Sequence, residues 1–288
     1  MARAIELIEK DIVALQAAIQ AIAAELQNAY GNYLTTLGQA VRRQLILATY
    51  HLCTQGYPEN FLNLSLNQRQ KLQQAVRNSG QEAADLLLSY LQSQAEAEEQ
   101  EEIEQEEEGE QEDEVVTYTL SDSSALPLIT SALKSVTPDL SNPIELLQWQ
   151  QNLENFIQKV LKNVSRNANL LLQKASILPN KLPEPILEAA AAVSEASAEV
   201  MPGPANLLNV VVEIESEQDP EESKLTKIMA INLRLGEMEF ADTTLSSARR
   251  QIRHILVELK KVGRDYQKKQ RERSIAEAES AWRASWFE

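Results

Sequence analysis

Residues 5–26 read IELIEKDIVALQAAIQAIAAEL, and Ile5, Ile8, Ile12, Leu15, Ile19, Ile22 and Leu26 stand alternately three and four apart. That spacing draws one apolar ridge along an α-helix, the seam of a coiled coil. A lone helix cannot bury such a ridge. It needs a partner helix, either from a second chain or from later in this one. The stretch therefore predicts helix-on-helix packing, and it speaks of assembly before chemistry. The fold expected from it is all-α: long helices with coiled-coil character, in two helical regions joined by a disordered acidic linker.

Composition agrees. Hydrophobic residues make up 43% of the 288 positions, aromatics only 5%, and there are 8 glycines and 10 prolines, a balance that favours helix over sheet. The net charge of −16 is unevenly spread. Residues 1–94 hold seven acids and seven bases, residues 95–114 thirteen acids and no base, and residues 242–288 seven acids and eleven bases. Cys53 is the only cysteine, so no internal disulfide can form, and a reducing cytoplasm is the expected setting. The N-terminal stripe is interrupted by Glu6, Glu9, Lys10 and Asp11, unlike the apolar core of a signal peptide. No stretch reaches the ~20 apolar residues of a membrane-spanning helix.

Working outward from the ridge, the first helix is predicted to run from about Ala4 to about Tyr50. Its seam weakens through Ala29, Tyr33 and Thr36, where Gly31 and Gly38 fall, and Gly56 and Pro58 stop it. Ser65-Leu66-Asn67-Gln68 reads as a capping box opening a helix to about Gln92, with a kink expected near Ser79-Gly80. Residues 1–94 then form an N-terminal helical hairpin or coiled coil. Residues 95–141 form the linker, because thirteen like charges cannot collapse into a core. Residues 142–288 form a C-terminal helical region. Within it, Asn142-Pro143 caps a helix carrying Leu146, Trp149, Leu153, Ile157, Val160, Val164, Leu171, Ala175 and Leu178, which Pro179, Pro183 and Pro185 end, and an alanine-rich helix is expected over 186–200. Residues 209–215 are β-branched and stay open between strand, helix and loop. A strand there needs a partner, for which Leu225 to Leu235 is the only candidate, but Asp219-Pro220-Glu221-Glu222 reads better as the start of a helix to about Ala241. Asp242-Thr243 then caps a long basic terminal helix with a second seam from Leu245 to Tyr266.

The stretch Leu233-Arg234-Leu235-Gly236-Glu237-Met238-Glu239-Phe240-Ala241-Asp242 resembles a segment of uncharacterised helical proteins of cyanobacterial type, as does Gly263-Arg264-Asp265-Tyr266 through Trp286. The resemblance covers mainly residues 225–288. It implies a helical fold and brings no activity, cofactor or site residues with it.

The partner-binding candidates are the ridge from Ile5 to Leu26, three arginines of the terminal helix (Arg249, Arg250 and Arg253), and the tail residues Trp282, Trp286 and Phe287. The ridge pairs either with another chain or within a bundle of its own. The arginines lie in a run of ten bases that could contact phosphates or an anionic membrane, or pair with the chain's own acidic linker. A solvated helix face or such self-pairing is favoured, since a chain of net charge −16 steers poorly toward nucleic acid. Trp282 and Trp286, four apart, share a helical face and suit either docking or covering the end of the bundle.

No catalytic or metal constellation stands out. His51 and His254 are the only histidines, and His51 with Cys53 is too small a set for zinc. There is no glycine-rich phosphate loop. Tyr30-Gly31-Asn32-Tyr33 reads as bundle packing. The expected function is therefore a non-enzymatic oligomeric scaffold or adaptor with no cofactor and no small-molecule substrate. It would act through self-association or another helical protein. The alternative is a peripheral nucleic-acid- or ribosome-associated protein using the basic helix, and peripheral membrane contact through the tail is a third reading.

Overall fold

A computed structural model describes residues 2–107, 141–179, 204–216 and 219–286. In chain order it contains α1 (Ala2–His51), a π-helical turn (Leu52–Gly56), α2 (Pro58–Leu62), α3 (Leu66–Glu107), α4 (Pro143–Lys174), β1 (Leu207–Ser216), β2 (Asp219–Ile231), α5 (Leu235–Ala241) and α6 (Thr243–Ser285). The fold is predominantly long helices, as the ridge and composition require. The chain divides into two compact units: Met1–Asn28 with Ser89–Gln151 and His254–Glu288, and Ala29–Leu88 with Asn152–Arg253.

The helix starts are set by local chemistry. The capping box forms: the Ser65 amide donates to Gln68 Oε1 at 2.8 Å, and the Gln68 amide donates to Ser65 Oγ at 3.3 Å. Asn142 Oδ1 accepts from the Ile144 amide at 3.1 Å ahead of Pro143 at the first helical position. Asp242 Oδ1 accepts from the Thr244 amide at 2.9 Å and the Leu245 amide at 3.3 Å. Burial alone pushes the Asp242 carboxyl up, but the two amides and the Arg43 guanidinium outweigh it, so it titrates below its ordinary 3.8. Asp242→Ala should therefore cost about 1 kcal/mol near neutral pH, read by denaturant unfolding. Because the folded value is the lower one, this contribution is full above the unfolded value. It disappears as pH falls through the folded value, where wild type and variant converge.

Two helix ends differ from expectation. α3 does not stop near Gln92 but continues to Glu107, into the first part of the acidic run. Ala, Gln and Glu are good helix formers, and each like-charge i,i+4 pair opposes them by only a few tenths of a kcal/mol. α4 ends at Lys174, ahead of the prolines, where Ser176 turns left-handed (φ 58°) and the Ile177 amide donates back to the Leu172 carbonyl at 2.9 Å. Residues 108–140 of the expected linker and the alanine-rich segment 186–200 lie outside the described residues.

In the first unit, Ile12, Ile19, Ile22, Ala23 and Leu26 of α1 are buried, as are Tyr90 of α3, Leu146 and Trp149 of α4, and Ile255 and Leu259 of α6. Lys269 of α6 forms a 3.1 Å ion pair with Asp11 of α1. A Cβ on Gly263 of α6 would come within 3.1 Å of Pro143 Cβ, so the start of α4 packs against α6 at that glycine. Burial fades toward the N-terminus of α1 and toward the C-terminus of α6 alike, as an antiparallel pair requires.

In the second unit, α1 and α3 meet through small residues. A Cβ on Gly38 would lie 2.9 Å from Ala84 Cβ, and one on Gly80 would lie 3.3 Å from Arg42 Cα. Gly80 therefore serves a close helix crossing, and α3 is continuous through the position where a kink was expected. The unit's buried apolar residues include Leu34, Leu37, Val41 and Leu45 of α1, Leu87 of α3, Leu153 and Ile157 of α4, and Leu245 and Ile252 of α6.

The helix expected from Pro220 to Ala241 is corrected. β2 pairs antiparallel with β1 over Asp219–Ile231, in register Leu208↔Ala230 and Val212↔Thr226, and only Leu235–Ala241 is helical. The physical reason lies in distant side chains that satisfy the backbone at the base of the hairpin. Tyr57 Oη accepts from the Met229 amide at 3.0 Å, and Asn169 binds both the Ile231 amide and the Ile231 carbonyl at 2.9 Å. The Leu233 amide donates to Ser165 Oγ at 2.9 Å. Asn206, buried with φ 62°, accepts from the Arg234 amide at 2.9 Å, while its carbonyl accepts from the Asn232 amide at 3.0 Å. A helical start signal worth about a kcal/mol is outweighed by this many long-range bonds.

Candidate functional site

Two features stand out: a buried ionic centre in the second unit and an exposed basic and aromatic face in the first. The centre is built on Arg249 of α6, which is buried. Its Nε donates to Glu239 Oε1 of α5 at 2.6 Å, its Nη1 bonds Glu154 Oε1 of α4, and its Nη2 reaches Glu154 Oε2 at 3.1 Å and Tyr33 Oη of α1 at 2.8 Å. The guanidinium lies 4.4 Å from the Tyr33 ring centroid. Tyr33 Oη donates to Glu239 Oε1 at 2.7 Å, and Tyr30 Oη donates to Glu154 Oε1 at 2.6 Å.

This centre joins α1, α4, α5 and α6 with every strong donor engaged. Burial raises the Tyr33 phenol far above its ordinary value. Arg249 opposes that, and Glu239 and Glu154 add to it. Burial by itself would lower the Arg249 pKa, but the hydrogen bonds and charge of Glu154 and Glu239 reverse the sign. The centre thus ties four helices together through one guanidinium, two carboxylates and two phenols. Tyr30 and Tyr33 are buried and also hydrogen-bond the two carboxylates, a role their sequence context did not suggest. Glu154 and Glu239 carried no signal, because nothing in the sequence sets them opposite one arginine.

His51 and Cys53 flank Leu52 where α1 passes into the π-helical turn. Cys53 is buried, and burial pushes its thiol up to about 11, so it is a protonated, unreactive thiol near neutral pH. Among the described residues no group of three or more His, Cys, Asp or Glu is placed to hold a metal ion. Among them, too, no helix is long and apolar enough to cross a membrane.

The partner-binding candidates separate. Along the ridge, Ile12, Ile19, Ile22 and Leu26 are buried by the chain itself, while Ile5, Ile8 and Leu15 are half-buried. The buried part of the ridge is thus covered within one chain, while its Ile5, Ile8 and Leu15 stay half-exposed. Arg249 is likewise removed from any external surface by its two carboxylates, whereas Arg250 and Arg253 are exposed. The tail stands in solvent. Trp282 is 65% exposed and Trp286 63%, with their rings 5.4 Å apart, and Ile275 is exposed on the same side of α6. Phe287 lies outside the described residues.

Successive helical residues turn by about 100°, so Lys260, Lys261, Arg264, Lys268 and Arg271 fall within an arc of about 100°, shared with Ile275, Trp282 and Trp286. All five bases are exposed, and none has a carboxylate partner among the described residues. Lys269 points elsewhere, to Asp11 and Glu272. Compared with protein-family models, characterised proteins and solved structures, the chain matches none.

Proposed function

We propose that the chain is a non-enzymatic scaffold or adaptor of the cytoplasm that docks its C-terminal aromatic turns into an apolar groove of another helical protein, a second copy included. The observation that carries this reading is the solvent exposure of Trp282 and Trp286. Tryptophan is highly buried on average, and two neighbouring indoles, tilted 33° to each other and held in water at a helix end, suit an anchor for a groove. Arg283 between them and Arg271 behind them supply the polar rim. With the ridge largely covered, this tail, rather than the N-terminal seam, is the means of association.

The test separates display from packing. Replacing both tryptophans by alanine should leave the chain's unfolding free energy within about 0.5 kcal/mol of wild type, since exposed side chains support little of the fold. The same variant, and a chain truncated before Ala281, should lose the partner that co-purifies with the intact protein. A loss of stability of about 2 kcal/mol or more in the double variant would show that the tail covers the chain's own bundle. Undiminished co-purification would remove the tail from the interface.

A further inference from the structure

The second unit displays an apolar surface of its own. On α1, Ile46, Leu47 and Tyr50 are 46%, 44% and 57% exposed, and at about 100° per residue they fall within one arc of about 100°. Arg43 lies inside that arc and pairs with Asp242, the cap of α6. Phe240, two residues before Asp242, is 93% exposed and adds an aromatic ring at the edge of the surface. α3 forms the other edge. Its close approaches, Ala84 to Gly38 and Gly80 to Arg42, show it antiparallel to α1, which sets the exposed Arg77 level with Ile46. Arg42 and Arg77 have no carboxylate partner among the described residues. Apolar side chains gathered in solvent and rimmed by charge mark an interaction surface.

We propose that the occupant of this surface is the tail of a second copy of the chain, with Trp282 and Trp286 seated on Ile46, Leu47 and Tyr50. The proposal rests on the tail being a docking element and supplies its receptor. Burial, side-chain chemistry and charge all choose a second copy. Tail and surface both stand in solvent within one chain, so neither covers the other there. Two indoles meet two aliphatic side chains and a phenol, the pairing of aromatic anchors with an apolar seat. Residues 274–288 hold the acids Glu277, Glu279 and Glu288 against Arg283 alone, while the surface offers Arg42, Arg43 and Arg77 against Asp242 alone. Two indoles bury roughly 150–250 Å² each, so with the surface they cover one junction stays below the ~1,200 Å² of a stable interface. Assembly is therefore reversible, with dissociation in the micromolar range. The contact is heterologous, and every copy carries both halves of it.

Sedimentation velocity of the purified full chain across micromolar concentrations tests this. The wild type should pass from monomer to larger species as concentration rises. Leu47→Glu with Tyr50→Glu should weaken that assembly about tenfold or more, as should Trp282→Ala with Trp286→Ala. Both variants should unfold at the wild-type urea midpoint, because the replaced side chains are exposed. Arg42→Glu with Arg77→Glu, which leaves the apolar side chains in place, should also weaken assembly, and more so at low salt. Mixing the α1 variant with the tryptophan variant is decisive. Each retains the half that the other lacks, so the mixture should form mixed species that neither forms alone. The inference is overturned if the α1 variant assembles like the wild type or if the mixture stays monomeric. A monomeric wild type overturns it too, and leaves the docking role of the tail to the co-purification test. Loss of assembly in the tryptophan variant alone would keep that role and move the receptor elsewhere, whereas no change in either variant would remove both. If the wild type instead binds phosphatidylserine vesicles without self-assembly, and the α1 variant loses that binding, the surface belongs to a membrane and the inference fails.

Discussion

Arg249→Met is expected to cost the folded chain about 3–5 kcal/mol. The substitution keeps much of the apolar stem but removes the cation that Glu154 and Glu239 share, and the donor that meets Tyr33 Oη. Two carboxyl groups, with side chains 19% and 16% exposed, are then left facing each other without their counter-charge. Urea unfolding followed by far-ultraviolet circular dichroism reads the loss. Arg249→Lys should recover only part of it, because a single ammonium cannot bridge two carboxylates and a phenol in the planar fork that Arg249 uses. Adding Glu154→Leu, Glu239→Leu, Tyr30→Phe and Tyr33→Phe to Arg249→Met should recover much of it, since the penalty arises from unpaired groups rather than from lost attraction. If Arg249→Met unfolds at the wild-type midpoint, the centre holds nothing together.

Gly38→Leu should destabilise by about 1–3 kcal/mol or more, through overpacking where α1 crosses α3. Even the first added carbon is too close: it would sit 2.9 Å from Ala84 Cβ and 3.1 Å from Ala84 Cα, and the latter is backbone that cannot rotate away. Gly38→Ala supplies the sharper sign. On an open helix that change stabilises by about 1 kcal/mol. Here it should destabilise, and pairing it with Ala84→Gly should restore the midpoint by reopening the crossing. A stabilised Gly38→Ala would mean that α1 and α3 are not in contact at this point.

The ridge, the caps and the long helices were legible because their causes are local. Ile5 to Leu26 declare a period, and Ser65-Gln68, Asn142 and Asp242 satisfy amides within three residues of themselves. The hairpin was legible only as the lesser reading, a strand over 209–215 with Leu225 to Leu235 as its one candidate partner, for a reason visible at Asp219-Pro220. That sequence does favour a helix start, but Tyr57, Ser165, Asn169 and Asn206 hold the backbone around Met229 to Arg234 extended from dozens of residues away. The candidate site divides along the same line. Trp282 and Trp286 could be paired from their spacing, yet whether they faced solvent depended on which helices ended before them. Arg249 read as one more base in a basic run, and only the fold shows it enclosed.

The order of residues alone settled that this chain is made of long amphipathic helices, where most of them begin, and that its charge is segregated along its length, because each of these depends on near neighbours. Three-dimensional packing settled who covers whom: that most of the isoleucine ridge is sheathed by its own chain, that one arginine is locked between two glutamates, and that a strand pair replaces a helix. Those outcomes rest on contacts between residues more than 200 positions apart, as Tyr33 and Arg249, and Asp11 and Lys269, are. Over such separations periodicity and propensity carry no information, and complementary shape and charge decide.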